Sequence, residues 1–429
     1  MLKKIFVFFI FIALSLPALI FSQEQKKDVM VITVNGVINP SSAEYIGKSI
    51  KKANEQKSEA LIIELDTPGG LDTSMRDIVK NIIGSEVPVV VYVSPSGARA
   101  ASAGVFISLA AHVSAMSPGT NIGAAHPVGV GEKMDKTMAE KATNDAAAYI
   151  RSLAERTGRN AKWAEDAVRK SISATETEAL NLKVIDIVSK DLKTLLSDTD
   201  GRTVKTVMGD KVLKTANANI IRVEMGLRTK ILNFITDPNV AYMLMLLGFY
   251  GLFFELTNPG AIFPGVMGGI CLILAFYAFQ TLPVNYAGLL LIILAIILFI
   301  LEIKIVSHGV LTIGGVIAMV IGSLMLFESP APFMKLSLFL ILPAVIMTAL
   351  FFTVVLSLAY KAYKRKPITG SESLIGLEGV ANTDITKDGG VVLLRGEMWS
   401  AYSDETISKD KKVIVESVTG LKVKVKKGE

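Results

Sequence analysis

Cysteine is nearly absent from this chain: Cys271 stands alone among 429 residues. An internal disulfide is therefore excluded. Cys271 also lies within an apolar run, where a thiolate is costly, so a cysteine nucleophile is disfavoured. Histidine is almost as scarce, with three residues and no Cys/His cluster. That argues against a zinc site, and no metal or other cofactor is expected. No aromatic residues interleave with the basic ones of the tail, so a nucleic-acid platform is not expected either.

Apolar residues, in contrast, are plentiful. They make up 51% of the chain, and the mean hydropathy is +0.48, above ordinary soluble values. The excess lies at residues 5–21 and 240–360. The net charge of +6 gathers partly behind the last apolar run, which reads as charge at a membrane surface. The length exceeds one ordinary domain.

The first 22 residues read as a secretory signal: Lys3 and Lys4, an apolar stretch, then polar Ser22-Gln23-Glu24. Cleavage near Ser22 and an uncleaved anchor both fit, and either exports the adjoining domain. Residues 28–200 read as a soluble α/β domain of alternating strands and helices. Ser41-x-x-Glu44 and Thr175-x-x-Glu178 are capping-box patterns, and Asn160 is placed to cap a further helix. Residues 100–111 read as a small-residue helix and 184–188 as a strand. Residues 201–235 read as a linker. Within it Ile220, Val223, Leu227, Ile231 and Phe234 recur at helical spacing, marking either an interfacial helix or one packed on the soluble domain.

Residues 240–360 hold four to five apolar segments, the first interrupted by Glu255 and Pro259 and so either spanning or re-entrant. Lys361, Lys364, Arg365 and Lys366 then point to a cytoplasmic tail. With five spans, the first domain lies outside the cytoplasm. Residues 370–429 alternate valine with polar residues and suit a small five-stranded, OB-like barrel.

Chemistry concentrates in two stretches. Asp66-Thr67-Pro68-Gly69-Gly70 ends an apolar strand, and Gly97-Ala98-Arg99-Ala100-Ala101-Ser102-Ala103-Gly104 sets one serine among small residues. A diglycine after a strand leaves N–H groups bare, and a helix start adds the positive end of a dipole. Ser102 is thus a candidate nucleophile, with an oxyanion hole from Gly69 or Gly70 and from Ala103. One such donor is worth on the order of 3 kcal/mol in acyl transfer. Two residues are candidates for the base. Lys141, among alanines, needs its pKa lowered from about 10.4 to about 8, roughly 3 kcal/mol of desolvation. His126 needs little tuning but ordinarily an orienting carboxylate, and none is evident. Bland readings exist for each stretch: a tight turn for the diglycine and a closely packed helix for residues 100–104.

With Ser117-Pro118-Gly119-Thr120-Asn121-Ile122-Gly123-Ala124-Ala125-His126-Pro127 and Glu140-Lys141-Ala142-Thr143-Asn144-Asp145 added, the chain resembles the long form of the NfeD family over nearly its whole length. That family is related to Clp protease and to signal peptide peptidase A. The resemblance implies a multi-domain protein. Its parts are an α/β ClpP/crotonase-like serine protease domain, an α-helical transmembrane bundle and an OB-like β-barrel. It implies a Ser–Lys dyad, with Ser102 on the nucleophile and Lys141 on the base. It also implies an apolar segment of a stomatin-like membrane protein as substrate, a lipid bilayer as surroundings and a homodimer of the protease domain. A non-catalytic scaffold gathering such a partner is the competing expectation. A crotonase-type acyl-CoA enzyme is set aside, because an exported domain meets little CoA and that chemistry needs no serine here.

Overall fold

A computed structural model describes residues 27–129, 135–257, 260–305, 307–327, 329, 334–363 and 371–428. The signal, Pro259 and the basic residues Lys364, Arg365 and Lys366 lie outside the described residues.

Long runs of Val, Ile and Leu build the centre of the α/β domain. Strands β1 (Asp28–Asn35), β2 (Ala60–Asp66), β3 (Val89–Val93), β5 (Val113–Met116), β8 (Ile187–Val188) and β11 (Asn219–Arg222) form one sheet, in the order β11-β1-β2-β3-β5-β8. Every pairing in it is parallel. Parallel strands are covered on both faces, which explains their continuous apolar sequence. Side chains alternate between two cores. Met30, Ile32, Leu61, Ile63, Val89 and Val91 join one. Val29, Val31, Ile62, Val90 and Tyr92 join the other. Helices α1 (Pro40–Glu55), α2 (Asp72–Ile83), α3 (Ala103–Ala110), α4 (Lys136–Arg156) and α5 (Ala161–Arg169) contribute to the first core.

A second layer, β4 (Arg99–Ala101), β6 (Asn121–Gly123) and β7 (Ser173–Thr175), forms a three-stranded sheet. The stretch 100–111 is therefore not one helix. Its first residues extend to pair with β6, and α3 begins only at Ala103. The box at Ser41 is also displaced. Asn39 caps α1, taking the Ser42 N–H at 2.9 Å while Ser42 Oγ accepts from the Asn39 N–H at 2.8 Å. Pro40 at the first helical position fixes that start. Thr175 and Glu178 do form the box, capping α6 (Glu176–Asn181), and Asn160 caps α5. Only Ile187–Val188 of residues 184–188 is strand.

After α7 (Leu192–Thr199), β9 (Thr203–Thr206) and β10 (Gly209–Val212) form a hairpin, and β11 returns to the sheet edge. The helical spacing from Ile220 is thus realised only in α8 (Leu227–Ile235), where Leu227, Ile231 and Phe234 are exposed. Upstream, pairing with β1 overrides it.

The apolar region supplies α9 (Pro238–Thr257), α10 (Ile262–Phe279), α11 (Tyr286–Lys304), α12 (Val310–Leu326) and α13 (Leu338–Tyr363). Among the described residues, α9 and α10 are long and apolar enough to cross a membrane. The segments Tyr286–Glu302, Val310–Leu326 and Leu338–Val354 are shorter apolar helices. Glu255 stays within α9. Glycines let α9 and α10 touch: a Cβ on Gly251 would lie 2.8 Å from Gly268 Cα, and one on Gly268 2.8 Å from Gly248 O.

The second compact unit contains the tail. Strands β12 (Glu378–Ala381), β13 (Gly390–Leu394), β14 (Glu397–Tyr402), β15 (Lys412–Thr419) and β16 (Lys422–Lys427) close a five-stranded barrel in the order β12-β13-β14-β16-β15. Its interior is Ala381, Val392, Leu394, Val413, Val415, Val423 and Val425. The architecture is thus the expected one: an α/β domain, apolar helices and a small closed barrel.

Candidate active site

The loops that leave the carboxyl ends of β2 and β3 meet at Ser102, where open parallel sheets place their sites. Ser102 joins β4 to α3 with φ +52° and ψ −112°. A non-glycine residue there stores strain of about 1–3 kcal/mol. Its N–H donates to Gly123 O at 3.0 Å, which anchors the bend. The residue is half-buried, and its hydroxyl has no hydrogen bond among the described residues.

Gly69 faces it. With φ +122°, a Cβ there would lie 2.7 Å from Ser102 Cβ and 3.1 Å from its Oγ, so a side chain would occupy the serine's own space. The Gly69 N–H is already used, donating to Thr67 Oγ1 at 3.0 Å. Just beyond β1, the Ile38 N–H donates to Gly69 O at 2.8 Å, and Ile38 O accepts from the Leu71 N–H at 2.8 Å. Gly70, between them, has no partner for its N–H among the described residues. Neither does Ala103, the first residue of α3, whose N–H falls among the orphan donors of a helix start. Of the three donors expected from sequence, Gly69 is engaged, and Gly70 and Ala103 have no partner among the described residues.

Sequence reasoning missed the device that holds α3 in place. Arg159, almost fully buried, donates through Nη1 to Leu109 O at 2.9 Å and Ala111 O at 2.8 Å, closing the C-terminal end of the helix. Its Nη2 pairs with Asp186 at 2.5 Å. His112 lies beside this end, and its Nδ1 accepts from the Val89 N–H at 3.1 Å. Burial, then the nearby Arg156 and Arg159, pushes its pKa down to about 4.

The two candidate bases are placed differently. Lys141 is exposed on α4 and has no ion pair or hydrogen bond among the described residues. One turn on, Asp145 pairs with Arg76 of α2, and Arg76 stacks 4.5 Å above the Tyr149 ring. These contacts fix the helix face that Lys141 shares. His126 donates from Nδ1 to Val168 O at 2.9 Å, since a carbonyl only accepts. That leaves Nε2 as the acceptor. The orienting group is a backbone carbonyl on α5, invisible to a search for carboxylates. No hydrogen bond joins Ser102 to either base among the described residues.

Family models match three segments: the NfeD1b N-terminal domain at 28–222, the NfeD integral membrane domain at 239–358 and the NfeD-like C-terminal, partner-binding domain at 371–427. The membrane-bound protease PH1510 of Pyrococcus horikoshii is 37% identical over 427 residues, 96% of each chain. The membrane protein NfeD1b of Bacillus subtilis is 30% identical over 425 residues, 94% of each chain. One solved structure is described as the 1510-N membrane-bound stomatin-specific protease, a lysine-to-alanine mutant in complex with a substrate peptide. It is 37% identical, with a TM-score of 0.47, and the match covers 50% of this chain and 99% of that one. The chain is a membrane protein and belongs to the NfeD family.

Proposed function

We propose that the chain is a membrane-bound serine endopeptidase that cuts apolar segments of membrane proteins, a stomatin-like partner among them. One observation carries this reading: a strained, half-exposed Ser102 packed against Gly69, with N–H groups that have no partner among the described residues on the adjoining Gly70 and Ala103. The 37% identity to a protease of similar length supports it. The stomatin specificity ascribed to the solved relative supports the substrate class.

In the proposed reaction, the Lys141 amine takes the hydroxyl proton as Ser102 Oγ bonds to the scissile carbonyl carbon. The resulting oxyanion accepts from the Gly70 and Ala103 N–H groups. Lys141 returns the proton to the leaving amine as the C–N bond breaks. Water then attacks the acyl-enzyme ester, giving its proton through Lys141 back to Ser102 and releasing the acid. The substrate segment lies extended beside Gly70, as an added strand. The exported domain carries the site, the helices anchor it by several passes, the barrel is cytoplasmic, and the protease domain pairs as a homodimer.

A serine-reactive phosphonate should label Ser102 in the full chain, and Ser102→Ala should abolish cleavage of apolar peptides. Wild-type rates in Ser102→Ala refute the assignment. Lys141→Ala should lose activity about as completely, while His126→Ala retains most of it; the reverse pattern makes His126 the base.

The scaffold reading keeps one point in its favour, the match of residues 371–427 to a partner-binding domain. Partner capture that survives Ser102→Ala but not removal of 371–428 would support it.

A further inference from the structure

A cavity of about 300 Å³ has Leu71, the residue after Gly70, in its lining. That size is at the lower end for ligand pockets, about 300–1,000 Å³. Val37 and Leu71 form one wall. They flank the bridge between Ile38 and Gly70, so the cavity begins one residue from the free Gly70 N–H. Phe234 of α8 and Pro238 of α9 form a second wall. Leu282, between α10 and α11, and Met334, shortly before α13, form a third. The walls are tied together. Nδ2 of Asn39, the cap of α1, donates to Asn233 Oδ1 on α8 at 2.8 Å. The α/β domain, the connecting helix and the ends of the apolar helices thus line one open space whose exposed surface is mostly apolar, with Asn35, Asn39, Asn233, Thr236, Asp237 and Thr281 as its polar lining.

We propose that this cavity is a specificity subsite that receives a large apolar side chain of the polypeptide substrate as its segment leaves the bilayer. The inference rests on the protease reading and deepens it. An extended chain rises about 3.3 Å per residue. A strand laid along Gly70 therefore brings a side chain within about two residues of the reacting carbonyl to the mouth of the cavity. Two of the walls come from the chain that leads into the apolar helices and from the turns that join them. A segment drawn from among those helices meets the cavity before it meets Ser102. An isolated α/β domain would lack both of these walls and would discriminate less.

The test uses the full chain in detergent micelles, with peptides that differ only in having Phe, Leu or Ala near the scissile bond. Leu282→Trp should fill the cavity and lower the Phe-to-Ala ratio of kcat/KM at least about tenfold, as pocket filling does elsewhere. Phe234→Ala, at an exposed position that folding tolerates, should open a wall and shift the ratio the other way. A ratio unchanged in both variants overturns the subsite. So does a uniform fall across all peptides, which marks damage to the fold. Protection of the cavity from substrate by bound lipid, seen as a ratio that responds to added acyl chains and not to the variants, also overturns it. Phosphonate labelling of wild-type Ser102 reports separately on the protease reading. If Ser102 is not labelled, that reading fails; if it is labelled and the ratio does not move, only the subsite fails.

Discussion

Two regions of this molecule bring backbones into contact through glycine, and they use that contact for different ends. Between α9 and α10, Gly248, Gly251 and Gly268 let two apolar helices touch. Around Ser102, Gly69 and Gly70 let extended segments touch, and the Gly70 N–H is left without an acceptor among the described residues. In lipid, close approach supplies dispersion contacts that hydrophobic driving force cannot. In the α/β domain it leaves a donor free. Polar groups then hold the arrangement: Thr67 on Gly69, Arg159 on the end of α3 and His112 beside it.

The largest expected effect is at the contact with Ser102. Gly69→Ala forces a Cβ onto Ser102 and strains a φ of +122°. Peptide cleavage should fall about a thousandfold, as when an oxyanion donor is lost. A rate near wild type would mean the two glycine contacts are alike after all.

The next effect separates the regions by pH. Unfolded chains protonate His112 below about 6.5, whereas the folded domain refuses that proton until about 4. Stability is therefore full above pH 6.5 and declines as pH falls toward 4, by about 3 kcal/mol at most. His112→Asn, whose Oδ1 can still accept from the Val89 N–H, should flatten that slope in chemical denaturation followed from pH 7 to 4. A slope of undiminished size assigns the pH dependence to other groups.

The smallest effect belongs to the helices. Gly251→Leu should overpack the α9–α10 contact and cost about 2 kcal/mol. Thermal unfolding in detergent should show that loss equally at pH 7 and pH 5. A pH-dependent loss would tie the helical contact to the polar devices of the other region.

Much of this was legible in the sequence for identifiable reasons. Parallel strands buried on both faces read as unbroken Val/Ile runs, and the box at Thr175 and Glu178 is local, so both could be placed without tertiary information. The misreadings came from long-range partners. Arg99–Ala101 looks helical until β6 pairs with it, and Ile220 looks like part of a helix until β1 does. Asn39 outcompetes Ser41 because a cap at Asn39 puts Pro40 at the first helical position, whereas a cap at Ser41 would leave it outside the helix. In the candidate site, small residues drew the sequence reading to Ser102, Gly70 and Ala103, where the structure has a positive φ and two N–H groups without partners among the described residues. Arg159 and the Val168 carbonyl gave no such signal, since nothing in their neighbourhood along the chain names α3 or His126 as a contact.

The return of β11 to the edge of the sheet has a mechanical consequence. Arg222 ends that strand, and α8 and α9 come directly after it. A pull applied to that strand along its axis would load the parallel registers from Asp28↔Asn219 to Val31↔Arg222 in shear, so that they share the force.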